Sequence, residues 1–93
     1  MSALTRKYYH LRGHVQGVGF RWFVSELCES RGLTGWVRNL PGGCVEMEVQ
    51  GDTAEFPALA SDLKTGNPAA RVTEIREETL PIIPGEKDFS IRF

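Results

Sequence analysis

Hydrophobic and polar residues alternate over residues 8–15, near the start of the chain. One side of this stretch carries Tyr9, Leu11, Gly13 and Val15, and the other carries Tyr8, His10, Arg12 and His14. Alternation with a period of two is typical of a strand with one buried face. The stretch therefore predicts a first strand whose apolar side covers a hydrophobic core.

The hydrophobic period changes after residue 19. Apolar residues then recur three or four positions apart, at Phe20, Phe23, Val24, Leu27 and Cys28. This spacing places them on one face of a helix that begins near Arg21, and Gly32 is a typical helix end. The pattern predicts a strand that leads directly into an amphipathic helix.

Two further strands are predicted over residues 33–39 and 44–50, where apolar and polar side chains alternate again. Pro41 and Gly42 between them suit the centre of a type II turn, because proline presets the first backbone angle and glycine accepts a positive second one. The two strands therefore form a hairpin.

A second helix is predicted after Asp52, which suits a helix cap. Its apolar stripe consists of Phe56, Leu59, Ala60 and Leu63. Pro57 lacks a backbone donor, so the helix is expected to start late or bend there. Residues 72–80 and 89–93 predict the last two strands.

The order of these elements is strand, helix, strand, strand, helix, strand, with a short extra strand at the end. This order predicts a ferredoxin-like split βαβ sandwich of the α+β class, an antiparallel sheet with both helices on one face. A chain of 93 residues with 41% hydrophobic residues has room for one core, so we expect a single domain over residues 1–93. A right-handed crossover makes the first two strands parallel, which brings their carboxyl ends to the same edge of the sheet.

Composition excludes several classes of function. The net charge of −1 gives no indication of nucleic-acid or membrane binding. Cys28 and Cys44 form neither a disulfide framework nor a metal motif, so we expect free thiols in a reducing compartment. The chain has no apolar run of the roughly 20 residues that span a bilayer, and its start lacks the apolar stretch of a signal peptide. We therefore expect a cytoplasmic protein, most simply a monomer.

The junction between the first strand and the first helix reads "GHVQGVGFR" over residues 13–21. Gly13, Gly17 and Gly19 permit backbone angles that aim successive N–H groups at one point, and a helix start adds free N–H groups and a favourable dipole. Arg21 can bind two oxygens with its planar fork. This combination predicts an anion site for a phosphate or a carboxylate, and Asn39 at the end of the second strand is brought to the same edge.

The residues of the chain exclude several known mechanisms of phosphate chemistry. A cysteine phosphatase needs an arginine six residues after its nucleophile, but Thr34 and Gln50 stand six residues after Cys28 and Cys44. There is no P-loop motif, and no histidine or carboxylate cluster has metal spacing. An acyl phosphate suits a site without a general acid, because its carboxylate leaving group has a conjugate acid with a pKa of about 4. Positioning and charge stabilisation are then sufficient.

These residues resemble a known family. "GHVQGVGFR" followed by "GWVRN" at residues 35–39 is similar to the acylphosphatase family, and "RGLTGWVRN", "GCVEMEVQG", "NPAARV" and "FSIRF" extend the similarity over nearly the whole chain. The resemblance implies metal-independent hydrolysis of the carboxyl–phosphate bond, without a cofactor, to carboxylate and inorganic phosphate. The product phosphate is then expected to compete with the substrate.

The resemblance also implies roles for individual residues. Matched by position, the family's phosphate-binding arginine falls on Arg21 and its water-orienting asparagine on Asn39. Its cradle of backbone amides falls on Val15, Gln16, Gly17, Val18, Gly19 and Phe20. The expected partner is a small-molecule acyl phosphate.

Other interpretations of the same residues stay open at the level of sequence. The glycines could serve packing alone, and Asn39 could merely cap the hairpin. The same fold also occurs in RNA-binding modules. The stretch "GVGFRWFV" superficially resembles the signature sequence of those modules. The domain is also similar to the amino-terminal module of hydrogenase-maturation carbamoyl transferases, where carbamoyl phosphate would be the substrate. Finally, the chain could bind anions without catalysis.

Overall fold

The alternating and helical patterns form a five-stranded sheet and two α-helices in the computed structural model, which describes residues 3–93. The elements are β1 (Leu4–His14), α1 (Phe20–Ser30), β2 (Thr34–Asn39), β3 (Val45–Asp52), α2 (Phe56–Thr65), β4 (Arg71–Leu80) and β5 (Phe89–Arg92), with a 3₁₀ turn at Thr53–Glu55 before α2. The order matches the prediction and confirms the ferredoxin-like class. None of the helices over residues 3–93 is long and apolar enough to cross a membrane.

The strands lie in the order β4-β1-β3-β2-β5. The four strands β4, β1, β3 and β2 pair antiparallel, whereas β5 pairs parallel to β2, which makes the sheet mixed. Since β1 and β2 are both antiparallel to β3, they run in the same direction. Their carboxyl ends therefore lie at one edge of the sheet, as the crossover rule predicts.

The hydrophobic core lies between the sheet and the two helices. The apolar face of β1 contributes Tyr9 and Leu11, and α2 contributes Leu59; all three side chains are buried. Helix α1 packs against β2 and β5, α2 packs against β4, and the helices contact each other, so both lie on one face of the sheet. Burial at about 25 cal/mol per Å² of apolar surface makes this layer the main source of stability.

Local sequence signals set the helix ends. Gly32 has φ of +69°, and Leu33 and Gly32 donate backbone hydrogen bonds to the carbonyls of Cys28 and Glu29. This is a Schellman motif, which ends α1 where the glycine predicted. Asp52 accepts a hydrogen bond from the amide of Ala54 and so caps the 3₁₀ turn.

Strand β1 is longer than the hydrophobic alternation predicts, because it begins at Leu4. Arg6 lies on the sheet face opposite the helices and is only 1% exposed, beneath the connection between β4 and β5. Its guanidinium donates hydrogen bonds to Glu48 and Glu86. Burial alone would lower the pKa of Arg6, but these hydrogen bonds outweigh it and raise the pKa above the usual value.

Candidate active site

Strand β1 bends at its carboxyl end, just before the glycine-rich loop. Its pairing register with β4 shifts between Arg12 and Gly13. Gly13 has φ of +130°, and a Cβ on it would stand 2.0 Å from the carbonyl oxygen of Arg71. Gly13 is therefore required for close strand packing at the bulge.

The loop after β1 carries the conformations expected of an amide cradle. Gly17 and Gly19 have φ of +74° and +72°, and a Cβ on either would meet no atom within 4 Å. The glycines are therefore required for their backbone angles rather than for space. Gln16 before them and Val18 between them have negative φ, because no residue other than glycine has a positive φ in the described chain. Alternation of this kind turns neighbouring N–H groups to one side.

Helix α1 starts at the end of this loop without a capping side chain. Gly19 is its N-cap, and no side chain accepts a hydrogen bond there. Over residues 3–93, the backbone hydrogen bonds of turns, loops and caps include none donated by the amides of residues 16–19. Free amides at a helix start form a ready anion site.

Arg21 and Asn39 line one cavity together with the loop. Its volume is about 210 Å³, several times the ~30 Å³ share of a water molecule in the liquid. Six predicted site residues line it, namely Val15, Gly17, Gly19, Phe20, Arg21 and Asn39. The crossover thus brings the arginine and the asparagine to the same place, as the topology predicts.

Two predicted cradle residues do not line the cavity. Val18 packs against the core, and Gln16 directs its side chain towards the β2–β3 hairpin. The Gln16 amide nitrogen donates hydrogen bonds of 2.7 Å to the carbonyl of Leu40 and 2.8 Å to that of Cys44. Gln16 thereby fixes the loop to the residue after Asn39. A polar residue among glycines was the one available sequence signal for this contact.

We expect Gln16→Ala to lower kcat for an acyl phosphate about tenfold, because the loop and the end of β2 would lose their shared anchor while the core stays intact. The substitution also removes the two side-chain hydrogen bonds of Gln16. At about 1 kcal/mol each, their loss should lower the free energy of unfolding by about 2 kcal/mol. Steady-state kinetics beside thermal unfolding measure both effects. A variant with lowered stability but normal kcat would show that Gln16 only stabilises the fold.

The Arg21 side chain is held by the end of β5. Its Nη1 donates a 3.2 Å hydrogen bond to the carbonyl oxygen of Arg92, and its guanidinium carbon lies 4.7 Å from the centre of the Phe93 ring. A cation over an aromatic face is favourable and restricts the guanidinium. These contacts leave further N–H groups of the fork for an anion. No pattern near Arg21 in the sequence indicates these contacts.

Asn39 is the last residue of β2, and its backbone pairs with Val45. The hairpin turn is closed by the Leu40 amide, which donates to the carbonyl of Cys44 at 2.8 Å, and by Gln16. The hairpin-cap interpretation of Asn39 is therefore not needed to account for the turn. Asn39 instead lines the cavity that contains Arg21.

The other chemically notable side chains lie outside this cavity. Burial raises the pKa of the Cys28 thiol to about 12, which keeps it protonated near neutral pH. Both cysteines are free. His10 and His14 belong to no group of three potential metal ligands within residues 3–93.

Trp36 lies on the sheet face opposite the helices, where RNA-binding modules of this fold stack bases. It is 8% exposed and lies beneath the guanidinium groups of Arg38 and Arg92, at 5.3 and 4.6 Å. An aromatic ring covered in this way offers little surface for stacking.

Gly17→Ala and Gly85→Ala are matched substitutions that distinguish an effect of backbone strain on stability from an effect on phosphate binding. Gly85 has φ of +78° and open space around it, like Gly17, but lies in the β4–β5 connection. Each substitution is expected to cost about 1–2 kcal/mol of unfolding free energy, the cost of a left-handed conformation for a residue with a Cβ. Only Gly17→Ala should weaken inhibition by inorganic phosphate. Equal inhibition of both variants would contradict an amide cradle at Gly17.

The fold and the cavity define a class, a small ferredoxin-like α+β domain with an anion site at the strand–helix junction. The family model of acylphosphatases matches residues 7–91. An acylphosphatase of Clostridium beijerinckii is 45% identical over 83 residues, which cover 89% of this chain and 92% of that protein. The chain belongs to the acylphosphatase family.

Solved structures agree with this membership. The crystal structure of acylphosphatase from Bacillus subtilis matches with a TM-score of 0.89 and 34% identity, over 98% of this chain and 100% of that one. Full-length HypF, crystallised in a phosphate- and nucleotide-bound form, matches with a TM-score of 0.89 and 29% identity; the match covers all of this chain and 12% of HypF. The domain thus occurs both as a small protein and as one part of a long chain.

Proposed function

We propose that this protein hydrolyses small acyl phosphates to a carboxylate and inorganic phosphate, without a metal or cofactor, within a single domain of residues 1–93. The observation that carries the proposal is the shared cavity of Arg21, Asn39 and the glycine-rich loop. Family membership supports the same activity. Free thiols fit the expectation of a reducing cytoplasm.

Arg21 and the loop amides hold the phosphoryl group in this proposal. The transferring group carries charge on its three equatorial oxygens, and N–H groups aimed at those oxygens stabilise it as the bond breaks. Arg21 supplies the positive charge, and the Arg92 carbonyl and Phe93 ring restrict its position. The donors are in place before the substrate binds, so little reorganisation accompanies the reaction.

Asn39 orients the attacking water. Its carboxamide oxygen can accept a hydrogen bond from the water, and its N–H groups can donate hydrogen bonds to a phosphoryl oxygen. The water oxygen forms a bond to phosphorus, the bond from phosphorus to the bridging oxygen breaks, and the carboxylate leaves with the electron pair. Because no aspartate, glutamate or histidine of residues 3–93 lines the cavity, a phosphoryl oxygen of the substrate takes the proton from the water.

The experiment that tests this function is hydrolysis of benzoyl phosphate, a generic aryl acyl phosphate, with and without EDTA. We expect equal activity in both conditions and competitive inhibition by inorganic phosphate, because the charge is stabilised by Arg21 and amides. Loss of activity with EDTA would contradict the metal-independent mechanism. Non-competitive inhibition would contradict a phosphoryl site at Arg21. If no hydrolysis occurred at all, the proposed activity would be wrong and the protein would only bind anions.

A further inference from the structure

Three apolar side chains with no assigned contact to the substrate also line the active-site cavity. These are Trp22 from the first turn of α1, Ile91 from β5 and Phe93. Trp22 is 64% exposed and Phe93 is fully exposed. Single exposed hydrophobic residues are ordinary on protein surfaces. Here, however, two large aromatic side chains border the same cavity as Arg21, which is a reason to ask what they contact during function.

The polar and apolar parts of this cavity divide the substrate between them. The phosphoryl group belongs at the loop amides and Arg21, which supply N–H donors and positive charge. The side chains of Trp22, Ile91 and Phe93 carry neither carboxylate nor ammonium groups, and among the residues that the structure describes Arg21 is the one charged side chain in the lining. A carboxylate on the acyl group would find no further positive partner there, whereas a hydrocarbon group would be removed from water by the aromatic surfaces.

We propose that Trp22, Ile91 and Phe93 form an acyl subsite, which selects acyl phosphates with an uncharged aromatic or branched hydrocarbon acyl group over acetyl phosphate. This inference rests on the proposed function. It assigns binding of the acyl group to these three residues. The phosphoryl site alone cannot discriminate among acyl phosphates, because all of them carry the same phosphoryl group. Pockets of this kind consist largely of apolar surface with a few polar groups that fix orientation.

The test compares Trp22→Ala with the unmodified protein on benzoyl phosphate and acetyl phosphate. The ratio of variant to unmodified kcat/KM is taken for each substrate, so that the different intrinsic reactivities cancel. We expect the ratio for benzoyl phosphate to fall roughly tenfold further than the ratio for acetyl phosphate, the size of a lost apolar contact in a pocket. Equal ratios for the two substrates would overturn the subsite.

Leu4→Ala is the matched control, because Leu4 is 61% exposed and lies at the far end of β1. It should leave both ratios near one. Phe93→Leu keeps an apolar side chain but removes the aromatic face. It should therefore lower the benzoyl phosphate ratio less than Trp22→Ala does. A larger loss in Leu4→Ala than in Trp22→Ala would also overturn the assignment.

A binding measurement separates failure of the subsite from failure of the proposed function. Benzylphosphonate and methylphosphonate resist hydrolysis, and calorimetry measures their dissociation constants without turnover. We expect benzylphosphonate to bind about tenfold more tightly, with this advantage lost in Trp22→Ala. Hydrolysis of both acyl phosphates without phosphonate discrimination would overturn the subsite alone. Discrimination without any hydrolysis would support the subsite and overturn the proposed catalysis.

Discussion

Arg21→Ala should reduce kcat/KM for an acyl phosphate by at least ~10³-fold, the lower end of what an arginine contributes to phosphoryl transfer. The loss corresponds to about 4 kcal/mol of transition-state stabilisation. The side chain supplies the one positive charge that the described part of the chain places in the cavity lining. The variant should also bind inorganic phosphate more weakly, because the product occupies the same donors. Steady-state kinetics and phosphate inhibition constants measure both effects.

Arg21→Lys is the control for charge without the planar fork. Lysine is a point charge and cannot bind two oxygens in one plane, so its activity should lie between those of Arg21→Ala and the unmodified protein. Both variants should keep the unfolding temperature within a few degrees, because Arg21 makes one exposed hydrogen bond to the backbone. Retention of normal activity in Arg21→Ala would remove the residue from the mechanism.

Asn39→Ala should lower kcat about 10²–10³-fold, the usual effect of removing one aligned donor at a reacting centre. Phosphate affinity should stay near its original value, because Arg21 and the amides supply most of that binding. This separation distinguishes a group that orients water from one that holds the phosphoryl group. Kinetics with acyl phosphate and inhibition by inorganic phosphate give the two readouts.

Asn67→Ala is the matched control for the asparagine. Asn67 accepts a hydrogen bond from the amide of Ala69 in the turn after α2 and is absent from the cavity lining. Its loss should affect stability slightly and activity not at all. If Asn39→Ala hydrolysed the substrate as fast as Asn67→Ala, the proposed role of Asn39 would be wrong.

Most of the fold could be predicted because its elements have local signals. The alternation around Tyr9 and Leu11, the helical spacing after Phe20 and the helix end at Gly32 each depend on neighbouring residues. Arg21 and Asn39 are distant in sequence, but one topological rule relates them, since strands that run in the same direction end at the same sheet edge. Their common cavity could therefore be expected before any side-chain contact was known.

Contacts between distant, irregular segments could not be predicted in this way. Arg6 resembles a surface cation in a polar stretch, and its burial depends on the β4–β5 connection that crosses the sheet. Gln16 was assigned to the cradle for its backbone, whereas its side chain binds the hairpin. Gly13 shares the glycine motif but faces β4 at a bulge. No period or motif within a segment encodes where another segment approaches it.

The central claim is that water attacks phosphorus at the site formed by Arg21, Asn39 and the loop. Hydrolysis of benzoyl phosphate in water enriched in oxygen-18, followed by mass spectrometry of both products, tests it most directly. Attack at phosphorus places the heavy oxygen in inorganic phosphate and leaves benzoate unlabelled. Label in benzoate would mean attack at the carbonyl carbon, and would contradict a mechanism in which the phosphoryl group is the one that is held and transferred.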